Sequence, residues 1–216
     1  MDHERRSRKL RALFKVLNRQ RKVQAQKIDI LCNDIITAQK DFISRLNTVH
    51  FTAQFYETII GTIDLRELLD KAGELLQHEI GGINVVFFLR RGTGHMMHIC
   101  RDEPIGDQNS QMQNYFTSEL VGNVCRSNTI CTIEDLFEHG LEANPSEMKN
   151  ISAATIPLSL SGMCLGFILM YRLSDKRLTS DHLTSACSIT RGLSQAIAAT
   201  PTMLSLRQAK SGSQAR

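Results

Sequence analysis

The first glycine of this chain is Gly61, and no proline precedes it. Sixty residues without either breaker, with apolar side chains in alternating steps of three and four, can form little other than one long helix. Leu10, Phe14, Leu17, Ile28, Leu31, Ile35, Ala38, Phe42 and Val49 fall on a single heptad register, and Arg21, Gln24 and Arg45 occupy its remaining positions. That is the seam of a coiled coil; polar residues within it weaken the seam but can fix register and strand number. The heptad part spans roughly 60 Å at 1.5 Å per residue. The expectation is a helix that self-associates; the alternative is an amphipathic helix folded back on its own domain.

The chain has 216 residues, which leaves enough beyond this helix for one domain with a normal core. Its net charge of +4 is unevenly spread: residues 1–27 hold ten Lys/Arg against two Asp/Glu, and the remainder is acidic. The run RRSRKLRALFKVLNRQRKVQ therefore suits an anionic partner or a solvated face. Phe14 is its only aromatic residue, so it offers no stacking platform for bases, and no helix-turn-helix or zinc-finger pattern is visible. Its apolar residues already belong to the seam, which leaves little to bury in a membrane surface. Protein contact or plain solvation is the favoured reading over nucleic acid. No apolar run is long enough to span a bilayer, and MDHERRSRKL lacks the apolar stretch of a signal peptide. The expected location is cytoplasmic.

The rest of the chain alternates helical and strand patterns. Asp64 and Glu67 resemble a capping box ahead of a Leu-rich stripe that Gly81-Gly82 ends. Ile83–Leu89 is apolar on both alternating faces, so this strand is covered on both sides. After a turn at Gly92-Thr93-Gly94, residues His95–Arg101 pair back with it. Glu103–Ser110 reads as loop, Gln111–Arg126 as helix and Thr129–Ile133 as a short strand. Leu136–Asn150 reads as loop and broken helix with Pro145 as breaker. Ile151–Leu160 and Met163–Leu173 form a hairpin around Ser161-Gly162. Thr179 caps a last helix, with Leu178 and Leu183 spaced for a hydrophobic staple. The fold class is α+β: a central antiparallel sheet with the first and last helices on one face and smaller elements on the other. The expected domains are a basic coiled-coil helix over 1–50, a domain over 51–200 and a flexible tail over 201–216.

These elements, in this order, resemble a GAF domain. The resemblance rests on Leu120-Val121-Gly122-Asn123 ahead of Thr132-Ile133-Glu134-Asp135-Leu136, and on Ile156-Pro157-Leu158 ahead of Gly162 and Gly166. It implies a regulatory small-molecule pocket between the sheet and the helices of residues 111–150. Val86 and Phe88 would face it from the first strand, Arg101 and Asp102 from the end of the second, Leu120 and Val121 from a helix, and Phe167 and Leu169 from the last strand. Asp135 would stand at its rim. The bland alternative is that the apolar members are simply core. Tyr171-Arg172 and Ser180-Asp181 stand where cyclic-nucleotide-binding members carry Asn-Lys and Asp-Glu, and the chain has no Cys-His dipeptide of the bilin-binding members. Neither ligand is expected, and no other cofactor is named by the sequence. The unbroken helix that links the seam to the domain suggests a homodimer through the N-terminal helix and the terminal helices of the domain, with a protein output partner and an unidentified small-molecule ligand.

Six cysteines, Cys32, Cys100, Cys125, Cys131, Cys164 and Cys187, include no Cys-x-x-Cys pair, so the usual zinc spacing is missing. Free methionine sulfoxide reductases are also small GAF domains, and Cys100, Cys125 and Cys131 are the thiols that such chemistry would draw on. Their spacing departs from that family's pattern, so an enzyme is not expected. Cys125 and Cys131, close across a turn, are a candidate redox pair. Strand alternation puts His98 and Cys100 on one face and His95 on the other, which is too few ligands for a tetrahedral metal site without Cys125 or Cys131.

Overall fold

The structure, a computed structural model, describes residues 2–92, 94–100, 112–173 and 177–200. The chain divides into two compact units, Met1–Asn47 and Thr48–Arg216. Helix α1 (Asp2–Ile59) is uninterrupted. In the first unit every described side chain is exposed, the seam included.

The second unit begins with the last turns of α1, where Phe51, Phe55 and Ile59 are buried. Helix α2 (Leu65–Ile80) follows; the Asp64 carboxylate accepts hydrogen bonds from the amides of Arg66 and Glu67, and Gly81 closes the other end with a positive φ. Strands β1 (Asn84–Arg91) and β2 (Gly94–Cys100) form the first hairpin. A 3₁₀ turn (Met112–Tyr115), α3 (Ser118–Ser127), β3 (Cys131–Thr132), α4 (Ile133–Glu138) and α5 (Pro145–Met148) lead to the second hairpin. That hairpin is β4 (Ile151–Leu160) with β5 (Met163–Leu173), and α6 (Ser180–Ala199) ends the described chain. The five strands are antiparallel in the order β2-β1-β5-β4-β3.

Alternation along the strands divides the core into two layers. Val85, Phe87 and Leu89 of β1 and Ile168 and Met170 of β5 pack with Phe51, Phe55, α2 and α6. Val86 and Phe88 of β1 and Phe167, Leu169 and Tyr171 of β5 pack with α3 and the shorter elements. Gly166 belongs to β5 because its neighbour leaves no room: a Cβ there would lie 1.9 Å from the Phe88 carbonyl oxygen, and its φ is +150°. A bulge between Leu158 and Ser159 shifts the β4–β5 register beside it.

Some local expectations change. Residues 112–126 are not one helix: Thr117 takes an extended conformation and its hydroxyl accepts from the Leu120 amide, so a new helix starts there. The strand expected over Thr129–Ile133 shrinks to two residues because Thr132 and Asp135 form a capping box that starts α4. Pro145 opens α5 rather than breaking a helix, as its fixed φ and missing N–H allow at a first helical position. At α6 the Thr179 cap holds, with His182 completing its capping box. The loop expected over 103–110 and the tail from 201 lie outside the described residues.

Candidate functional site

The second core layer gathers six of the nine residues singled out in the sequence. Val86 pairs with Leu169, and Phe88 with Phe167, across β1 and β5. Leu120 and Val121 come down on them from α3, and all six are buried. Each points from a strand or helix into this buried, largely apolar layer. Phe88 stacks on Phe167, with ring centroids 4.9 Å apart at 23°, and on Phe116, 5.1 Å apart at 28°. Arg101 and Asp102 lie outside the described residues. Asp135 is not a member of this layer: its carboxylate accepts from the amide and hydroxyl of Thr132 at 2.7 and 2.9 Å. Those bonds hold its pKa below the usual carboxylate value.

Polar groups that were not singled out also enter this layer. The Tyr171 hydroxyl donates to the Gln113 side-chain oxygen, and both residues are buried. Thr155 is fully buried, and its hydroxyl has no hydrogen-bond partner among the described residues. Thr155 stands opposite Leu169 on one side and Cys131 on the other, so it faces the same layer. Period two along β5 would have found Tyr171 from Phe167 and Leu169; Thr155 needs the β4–β5 register, which the bulge obscures.

The thiols do not group as the sequence suggested. Cys125 shares a hydrogen bond with Cys164, not with Cys131. That bond holds the Cys164 thiol down to about 7 and raises the pKa of Cys125. Cys131 is buried, its sulfur 3.5 Å from the Ser127 hydroxyl and 3.6 Å from the Thr129 carbonyl. Cys100 belongs to the other layer and donates to the Leu69 carbonyl at 3.3 Å. Burial, with the Asp70 and Glu74 carboxylates adding to it, pushes its pKa up to about 12. His98 shares its face of β2 and meets Asp70 of α2 at 2.9 Å. The side chain that joins His98 and Cys100 there is thus a carboxylate from α2, not Cys125 or Cys131.

No protein-family model matches the sequence, and no curated protein matches it. Solved structures do match in three dimensions. The GAF domain of an Acinetobacter phosphoenolpyruvate-protein phosphotransferase has a TM-score of 0.51 at 14% identity, over 70% of this chain and 92% of that one. The GAF domain of the corresponding Coxiella burnetii protein has a TM-score of 0.52 at 14% identity, over 71% and 94%. The fold is that of a GAF domain. A GAF sensor protein from Burkholderia vietnamiensis, described as putative, has the same fold, with a TM-score of 0.51 at 12% identity over 70% and 94%. In this GAF fold the second layer is the region where the sequence resemblance put a pocket. Among the described residues no helix is long and apolar enough to cross a membrane.

Proposed function

We propose that this chain is a non-enzymatic, cytoplasmic, dimeric regulatory module. A coiled coil formed by α1 couples to a GAF-fold domain that responds to a small molecule or to a partner protein. The observation that carries the reading is the bare seam on α1. Ile28, Leu31, Ile35 and Phe42 are 57–62% exposed, and burying one such side chain is worth roughly 1.5–3 kcal/mol. Ile28 and Ile35 alternate with Leu31 in the a and d places that favour two parallel strands. The domain end of the helix supports the coupling. Thr52 bonds Ser188 of α6 at 3.0 Å, and Tyr56 packs against Gly192 one turn on, where a Cβ would meet its ring at 2.6 Å. A ligand or partner that prefers one arrangement of these helices would bias the coiled coil.

A second reading, an adaptor with a closed pocket, is favoured by the complete burial of Val86, Phe88, Leu120, Val121, Phe167 and Leu169. The buried Thr155 hydroxyl, without a partner among the described residues, favours a ligand instead, since such a group is costly unless something completes it. Light scattering at micromolar concentration tests the dimer: two copies are expected, and one copy for Ile35→Lys. A monomeric wild type would end the proposal. Native mass spectrometry of protein from its own host separates the two readings, because a retained small molecule belongs only to the first. A mobility-shift assay with and without residues 1–27 tests the basic segment, for which no nucleic-acid shift at physiological salt is expected.

A further inference from the structure

From the juxtaposition of Asp70, His98 and Cys100 we infer that the outer edge of the sheet, under α2, is a binding site for a transition-metal dication of the zinc class. The Oδ1 of Asp70, the Nε2 of His98 and the Sγ of Cys100 all lie within 4.8 Å of one another. Three donors placed tetrahedrally around one ion at 2.0–2.3 Å lie about 3.3–3.7 Å apart, so the His98–Asp70 pair at 2.9 Å opens and the sulfur closes in by side-chain rotation. The donors come from two elements whose positions are fixed independently. His98 and Cys100 are held on β2 by pairing with Phe87 and Val85, and Asp70 is held by a helix with Leu68 and Leu69 fully buried.

The chemistry of the set is selective. A thiolate, an imidazole and a carboxylate in a three-donor arrangement suit zinc, with a fourth position left to water or an incoming ligand. Magnesium and calcium, which take oxygen ligands, are poorly served. The surroundings favour positive charge, because Glu74 lies one turn along α2 from Asp70 and adds its field at Cys100. Access is graded: the Asp70 side chain is 57% exposed, that of His98 17%, and Cys100 is buried. An ion arrives from the carboxylate side and reaches the sulfur last. Gly73 makes the sulfur's place, since a Cβ there would lie 2.5 Å from Sγ. On binding, the thiol proton passes to solvent and the His98–Asp70 contact opens to admit the ion.

Bound there, the ion would tie α2 to the edge strand of the GAF-fold domain, at a place separate from the second layer. The test uses the full chain, purified reduced and treated with chelator. Titration with Co(II) is expected to give one equivalent with a thiolate-to-cobalt charge-transfer band, which zinc displaces, together with a zinc-dependent rise in Tm. Cys100→Ser should abolish the band. Because that residue is buried, Asp70→Asn and His98→Gln, both at more open positions, serve as variants that keep the fold, and each should lose the band and the zinc shift. A Cys125→Ser/Cys164→Ser protein should keep both. Folded wild type with no thiolate band, or a band that survives Asp70→Asn and His98→Gln, overturns the assignment.

Discussion

Replacing Phe167 by alanine asks whether the second layer is core or vacant site. The ring is 1% exposed and stacks on Phe88, with Phe116 5.9 Å away at 40°. A buried Phe→Ala change costs about 3–5 kcal/mol through lost transfer energy and the cavity left behind. Each aromatic pair adds about 0.5–1.5 kcal/mol to what burial alone supplies. Two ring neighbours on one residue place the loss in the upper part of that range, about 4–5 kcal/mol. For a chain of this size 1 kcal/mol corresponds to about 2–4 °C, so Tm should fall by about 8–20 °C. The assay is urea unfolding at fixed protein concentration, followed by tyrosine fluorescence. The chain has no tryptophan, and its three tyrosines, Tyr56, Tyr115 and Tyr171, all belong to the second unit. The signal therefore reports the domain and not the melting of residues 2–47. A loss below about 1 kcal/mol, with the slope against urea unchanged, would refute the argument, because a packed ring cannot be removed so cheaply. The ring would then border space that the domain keeps open.

Other outcomes follow from single contacts. Gly166→Ala should cost more than 2 kcal/mol by urea unfolding, about 1–3 kcal/mol from its positive φ and the rest from displacing the Phe88 carbonyl. Alkylation of Cys164 should accelerate as pH rises through about 7 and then level off, and Cys125→Ala should move that rise to higher pH by removing the hydrogen bond that stabilises the thiolate. Asp135→Ala should cost about 0.5–1 kcal/mol of domain stability, at the low end because the group is exposed. The folded pKa of Asp135 is lowered, so its contribution is complete above the unfolded carboxylate value and fades as pH falls through the folded one. In a Cys32→Ser background, Ala38→Cys should form a disulfide between two copies under mild oxidation, because a d position faces its own counterpart in a parallel pair.

Elements set by local chemistry were legible before the structure. The Asp64 and Thr179 caps, the Ser161-Gly162 turn and the breaker-free first helix each depend on residues adjacent in sequence. The two-sided strand expected at Ile83–Leu89, observed as Asn84–Arg91, was legible too, because apolar residues on both alternating faces demand cover above and below. Residues 112–138 were harder. Thr117 caps α3 through one hydrogen bond and Asp135 completes the α4 capping box through two, and the apolar spacing around them suits one helix as well as two. The thiol groupings were not legible at all. Cys125 meets Cys164, and Asp70 meets His98, through the packing of α3 on β5 and of α2 on β2, and no spacing along the chain records that. Sequence proximity pointed instead to Cys131, six residues from Cys125 but turned toward Ser127.

The alternation along β1 has a mechanical consequence. Phe88 belongs to the aromatic stack, while Phe87 and Leu89 on either side press into the layer that holds Phe51 and Phe55 of α1. The wall between the two compartments is thus one peptide group thick. No relay of side chains is needed to cross it: a displacement of the Phe88 ring that tilts its backbone moves both neighbours, in the opposite sense, against the base of the long helix. Gly166, pressed on the Phe88 carbonyl, denies that peptide any slack on the β5 side. In the proposed module such a wall would transmit small movements by leverage.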